Sequence, residues 1–224
     1  MAVPCPAAFS MNDPAIRAFL YPLLTEGIYV DELPTGTTRA DVVHITPDFM
    51  HGYEIKGDAD TLQRVKNQLR CYAEVYDFVT FVVTEKHLAK LLPLLPQWVG
   101  VLVASDSGLR PHRPAAYNAT VERAPLASLL LLDEVKQYLL ALGWRGVSQL
   151  RRAEVLQLLR STHTISLSGL AQYARERLIS RMPQRLLDRA ERKLERQRLA
   201  PLRRKRRLKQ AATRKKRRGT AVKK

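Results

Sequence analysis

Apolar residues recur at Ile16, Phe19, Leu20, Leu23 and Leu24, the spacing of one helix face, behind the start signal Asn12-Asp13-Pro14 and ahead of Glu26-Gly27. The pattern predicts a first helix, bent at Pro22. Three segments with strand chemistry follow, residues 28–33, 38–45 and 52–56, divided by the turn-rich stretches at 34–36 and 46–48. An antiparallel meander is expected. Asp60, three residues before Gln63, resembles a capping box, and Leu62, Val65, Leu69, Tyr72 and Val75 continue at helical period, so a second helix is predicted to about Tyr76. Residues 78–84 and 98–104 are continuous β-rich apolar runs, the mark of strands buried on both faces, and 86–95 reads as a short helix between them. The predicted order is αβββαβαβ.

From residue 105 to 125 Gly, Pro, Ser, Asn and His dominate, which predicts a loop or short irregular hairpin acting as a linker. The pattern is then helical over 129–142, 150–159 and 167–179, with a fourth helix after Pro183. The expected organisation is an α/β domain over residues 12–104, a linker at 105–125, a helical region at 126–191, and a tail at 192–224. The paired helices around 150–179 fit a nucleic-acid reader of the helix-turn-helix or SAP type; leucines at that spacing fit helix packing equally well.

Charge changes this picture at one end only. The chain carries +17, and from Arg192 onward 17 lysines and arginines face the single acid Glu195, leaving the other residues nearly neutral. A neutral body with a polyanion-seeking arm follows, and nucleic acid, DNA before RNA, is the expected partner. Arg203, Arg204, Lys205, Arg206, Arg207, Lys215, Lys216, Arg217 and Arg218 are the expected phosphate contacts, in a tail expected to be disordered beyond 201. With no aromatic residue in it, this tail has no means of stacking on bases. Cys5 and Cys71 stand far apart without metal-ligand spacing, and no run approaches the roughly 20 apolar residues of a membrane helix. A cytoplasmic protein that avoids membranes is expected.

The chemistry-bearing residues cluster in the meander. Asp41 adjoins an apolar strand run, and Tyr53-Glu54-Ile55-Lys56 places Glu54 and Lys56 at i and i+2, one face of a strand. If the two segments pair, Asp41, Glu54 and Lys56 converge, with Ile55 in the core. Gln68 and Tyr72 share a face of the next helix at i and i+4. Arg39 is either a phosphate contact or a solvated strand residue. Asp58 and Asp60 read as caps and turn formers. His44, His51, His87, His112 and His163 have no partner at metal-ligand or triad spacing and read as structural or solvent-facing.

This arrangement, an Asp on one strand and Glu-x-Lys on the next within an αβββαβ core, resembles the PD-(D/E)XK nuclease superfamily, with its restriction-endonuclease-like fold. Gln68-Leu-Arg-Cys-Tyr72 is similar to the Q-x-x-x-Y element of RecB-type nucleases. The string from Gly52 to Arg64, GYEIKGDADTLQR, preceded by TRAD, resembles a small bacterial and phage branch of that superfamily. The resemblance implies a Mg²⁺- or Mn²⁺-dependent nuclease of DNA repair or phage defence. It implies Asp41 and Glu54 as metal ligands with the Ile55 carbonyl, Lys56 as the water-orienting residue, and Gln68 as an accessory. A further acid usually completes such a site; Glu32 on the first strand is preferred to Glu26 at the end of the first helix. The alternative is a noncatalytic nucleic-acid-binding protein on a degenerate nuclease fold.

Overall fold

The structure, a computed structural model, describes residues 11–185. The chain divides at Ser180 into two units, and the fold described here is that of the first. Helix α1 (Asp13–Leu20) starts where the sequence predicts: the Asn12 side chain accepts the Ala15 N–H at 3.1 Å, with Pro14 in the first turn. A 3₁₀ turn over Tyr21–Leu23 follows at Pro22.

Strands β1 (Ile28–Thr35), β2 (Thr38–Ile45) and β3 (Met50–Lys56) form the expected meander. Thr35 pairs with Thr38 across a two-residue turn whose first position, Gly36, has φ 58°, a conformation that glycine adopts without steric cost. Helix α2 (Val65–Ala73), strand β4 (Phe78–Thr84), helix α3 (Glu85–Leu91) and strand β5 (Gly100–Ser105) complete the predicted order. The sheet is mixed and runs β1-β2-β3-β4-β5-β6, with β3, β4 and β5 parallel. Ile16 and Leu20 of α1 pack on Val42, Ile55, Val82 and Ala104, so one sheet face is a dry apolar layer.

The start of α2 differs from the expectation. Asp60 is no helix cap: its Oδ2 accepts the Gly57 N–H at 2.8 Å within a turn, and the helix begins at Val65 without a side-chain cap. A turn bond three residues back satisfied the aspartate first, as the rival tendency of Asp to form local turns allows.

Residues 105–125 hold the short irregular hairpin that the sequence offers but no domain boundary, since the first unit runs on to Ser180. They hold the sixth strand, β6 (Gly108–Arg113), antiparallel to β5, and a short helix α4 (Arg123–Ala127). β6 lies at the sheet edge and carries Pro111, which only an edge strand tolerates; with three of its six positions exposed and none buried, it shows no apolar alternation to read. Beyond it, buried Asn118 donates to the carbonyls of Ala73 (2.7 Å) and Tyr76 (2.8 Å), closing the chain after α2.

Helices α5 (Leu132–Ala141) and α6 (Arg152–Ser161) follow, and residues 167–185 are helical. Val135, Leu139, Val155, Leu159, Leu170, Ala174 and Leu178 are all buried, which favours the packing reading of their spacing. Arg175 donates to the Pro47 carbonyl at 2.7 Å, tying the last helix of this unit to the β2–β3 turn. No helix among the described residues is long and apolar enough to cross a membrane. The tail contacts expected from Arg203 to Arg218, like Cys5, lie outside the described residues.

Asn118→Ala takes its amide donor from the Tyr76 carbonyl and leaves the Ala73 carbonyl with the Thr120 hydroxyl alone, and should cost about 1–3 kcal/mol in urea unfolding. An unchanged midpoint would mean that this segment is a linker after all.

Candidate functional site

The site forms where the β2 ladder fails on both flanks. Toward β3 the pairing ends at Val42↔Tyr53; toward β1 it runs from Asp31↔Val42 to Leu33↔Ala40 with no pairing of Glu32 and Asp41 between them. Glu32 sits there at φ 55°, the one described non-glycine residue in that region, a conformation costing about 1–2 kcal/mol. Side chains take over where backbone pairing stops. Asp41 Oδ2 accepts the Ile55 N–H at 2.7 Å, and Arg17 Nη1, from α1, donates to the Asp41 carbonyl at 2.8 Å. Because the N–H and C=O of one strand residue point to the same edge, the Ile55 carbonyl also faces the β2 side.

Glu54 and Lys56 lie on the sheet face toward α2, while Ile55 points into the apolar layer beneath α1, as i, i+1 and i+2 in a strand require. Glu54 is 1% exposed and Lys56 2%, and Lys56 Nζ meets Glu54 Oε1 at 2.7 Å. A buried pair of this kind is tolerated only when further hydrogen bonds satisfy its remaining atoms. Helix α2 supplies them. Gln68 donates to Glu54 Oε1 at 2.5 Å and accepts from Lys56 at 3.2 Å, and Tyr72 OH lies 2.6 Å from Glu54 Oε2 and 2.7 Å from the Arg39 carbonyl. Burial, then the Glu54 charge, push the Tyr72 phenol up, so it remains a donor. The i, i+4 pair read from sequence thus meets the acid of the Glu-x-Lys element.

Asp41 is half-buried, and burial followed by the charge of Glu54 raises its carboxyl to about 7, against the opposing effects of the Ile55 N–H, Lys56 and Arg17. The two carboxylates are therefore near neighbours electrostatically. A cleft of about 690 Å³ opens over Asp41, walled by the Gly36–Thr38 turn on one side and by Arg64, Asn67 and Gln68 on the other, with Glu32 and Arg39 along β1 and β2.

The further acids stand otherwise than the sequence suggests. Glu32 lines the cleft, but its Oε1 is held by Arg17 at 3.2 Å and its Oε2 by Arg39 at 3.0 Å. Glu26 is exposed in a bend, and its carbonyl is bonded to His44. Among the described residues no three His, Cys, Asp or Glu side chains gather as a metal cluster. Asp58 accepts the Met11 N–H at 2.8 Å, a turn role like that of Asp60. Of the histidines, His51 bonds Thr80 and stacks on Tyr53, and burial, then His44, lower it to about 3, keeping it neutral. His87 bonds the Gly57 carbonyl.

Sequence reasoning missed Arg17, which besides Glu32 and the Asp41 carbonyl also binds Asp13 and Asp31 (2.8 Å). Its only local signal, Asp13 four residues before it, is that of an ordinary surface helix pair. Arg64 and Asn67 were missed as well, since the expected helix start hid their place in the cleft.

The raised Asp41 carboxyl makes a pH prediction. The folded protein holds this proton more tightly than the unfolded chain, so the contribution to stability is complete below about pH 4 and is lost as pH rises through about 7. In metal-free buffer, wild type should lose at most about 4 kcal/mol relative to Asp41→Asn between those limits, measured by urea unfolding. Equal pH profiles for the two proteins would contradict it.

A solved structure that this chain resembles is described as the SPO1766 protein of unknown function from Silicibacter pomeroyi, with 18% identity and a TM-score of 0.39, over 74% of this chain and 99% of that one. No curated protein matches the chain. The family model that does match, bacteriophage P4 protein cII, spans residues 22–203, nearly the whole of the fold described above, and the chain belongs to that family.

Proposed function

We propose that the chain is a divalent-metal-dependent nuclease of the PD-(D/E)XK type acting on DNA, on a restriction-endonuclease-like core. The observation that carries this reading is the convergence of Asp41, Glu54, Lys56, Gln68 and Tyr72 at the point where β2 and β3 part, beneath an open polar cleft. A structural ion pair needs no such cleft, and two buried acids side by side are costly without a cation.

The donor set fits Mg²⁺ or Mn²⁺. A carboxylate offers about four acceptor positions; Lys56, Gln68 and Tyr72 use three on Glu54, and Ile55 uses one on Asp41. Asp41, the remaining position on Glu54 and the Ile55 carbonyl are hard oxygen donors, and Mg²⁺ is commonly held by one or two carboxylates with water filling the rest. The cation would supply Lewis-acid polarisation of a phosphoryl oxygen. Lys56 keeps one N–H beyond those given to Glu54 and Gln68, enough to orient a water or a phosphoryl oxygen. Gln68 and Tyr72 hold Glu54 in place. The tail from Arg192 would add sequence-independent attraction, so chemistry and affinity are separable.

One observation favours a noncatalytic nucleic-acid-binding protein on the same fold: Glu54 is already neutralised by three donors and Glu32 by two arginines, without a cation. The two readings separate in one experiment. The nuclease cuts DNA with Mg²⁺ or Mn²⁺, binds Mn²⁺ in a calorimetric titration, and loses activity by about two orders of magnitude or more in Asp41→Asn. A protein that binds DNA but neither binds Mn²⁺ nor cleaves single-stranded, duplex or branched substrates is the binder. Truncation at residue 191 should weaken DNA binding and flatten its dependence on salt; unchanged affinity would remove the tail from the account.

A further inference from the structure

The cleft over Asp41 has two guanidinium groups at its mouth, and they are in different states. Arg39 is 60% exposed and spends its charge on Glu32 at 3.0 Å. Arg64, on the opposite wall, is exposed and has no partner among the described residues. The lining between them includes the hydroxyls of Thr37 and Thr38, the Asn67 amide, which donates to Thr37 Oγ1 at 3.3 Å, and the carboxylates of Glu32 and Asp41. No aromatic side chain lines the space.

We propose that this cleft grips the phosphodiester backbone of a nucleic-acid strand through Arg39 and Arg64, and that the Glu32 carboxylate is an internal stand-in for the phosphate, released by Arg39 when the strand arrives. The inference rests on the nucleic-acid part of the function proposed above and not on cleavage.

Three observations carry it. Arg39 and Asp41 are i and i+2 on β2 and share one face, so a phosphate taken by Arg39 lies beside Asp41. Glu32 presents to Arg39 the same kind of oxyanion as a phosphate, yet it does not depend on Arg39: Arg17 holds its other oxygen and remains when Arg39 leaves. The cleft offers hydroxyls, an amide and guanidinium groups but no stacking surface. Such a lining positions a strand by its backbone and reads no base. The body therefore contributes register without sequence choice.

The test uses the full chain, isotope-labelled, in EDTA, with a tetrathymidylate strand as probe. Amide signals of Thr37, Thr38 and Asn67 should shift and saturate. Arg64→Ala, which removes an exposed side chain with no partner and so leaves the fold intact, should weaken that saturation about tenfold, as should Arg39→Ala. Glu32→Gln should do the opposite and tighten it severalfold, because the competitor for Arg39 is gone; damage to the fold does not produce a gain. Inorganic phosphate, lacking a second group for Arg64, should bind the same signals at least tenfold more weakly. The proposal is overturned if the strand leaves these signals unmoved, if Arg64→Ala binds as wild type, if Glu32→Gln weakens binding, or if inorganic phosphate saturates them equally well. Saturable shifts in a protein that never cuts DNA with Mg²⁺ would defeat the nuclease reading and leave this one standing.

Discussion

Everything at the site depends on the Glu54 carboxyl group being satisfied in the sheet interior. Burial of an isolated carboxylate is prohibitively costly, and the pairing with Lys56 offsets that cost only because Gln68 and Tyr72 complete the geometry. Loss of any one partner strands a buried charge, so the network imposes a single register between β3 and α2. The one Tyr72 phenol proton is shared between Glu54 and the Arg39 carbonyl, which brings the strand carrying Asp41 to the same hydroxyl as Glu54. The helix α2 is therefore more than a crossover between parallel strands; it is the wall that holds both acids in place.

The second constraint is the missing backbone pairing around Asp41. A continuous ladder would satisfy the strand and leave the carboxylate free to point anywhere on its face. Here Asp41 replaces a ladder acceptor for Ile55, and Arg17 replaces a ladder donor for Asp41. Both substitutions use side chains, so the opening between β2 and β3 leaves neither the Ile55 N–H nor the Asp41 carbonyl unpaired. The strain at Glu32 sits at the same point, where Arg17 and Arg39 draw its carboxylate in from two sides. Strain of this kind persists where surrounding contacts over-determine the backbone.

How much of this could be read from the sequence follows from the range of each interaction. Asp41, Glu54, Lys56, Gln68 and Tyr72 were legible because strand and helix periods fix which side chains share a face, and two short-range patterns sufficed. The strands β4 and β5 were legible as apolar runs. Arg17 was not, because its partners on β1 and β2 lie 14, 15 and 24 residues ahead and nothing local distinguishes it from a solvated arginine. Arg64 and Asn67 were lost through a local error: Asp60 has the chemistry of both a cap and a turn, and the turn won. β6 was legible only as the short irregular hairpin expected after residue 105, since an edge strand with a proline carries no periodic burial to mark it as part of the sheet.

These constraints also decide how a cation and a proton would compete for the site. Burial, and after it the charge of Glu54, raises the Asp41 carboxyl to about 7. A divalent ion bound there, as proposed above, would have to displace the Asp41 proton, so its apparent affinity would rise with pH until Asp41 is fully ionised. Glu54 imposes a different cost. Its three donors are already in place, so a cation gains the one remaining acceptor position and must tolerate the Lys56 ammonium as a near neighbour. Repulsion from that ammonium weakens metal binding, yet the same positive charge is what a departing phosphate oxyanion needs. A site built for tight metal storage would omit the lysine. A site built to hold the metal only when a phosphate shares it would keep the lysine, and here Lys56 is buried against Glu54 and Gln68.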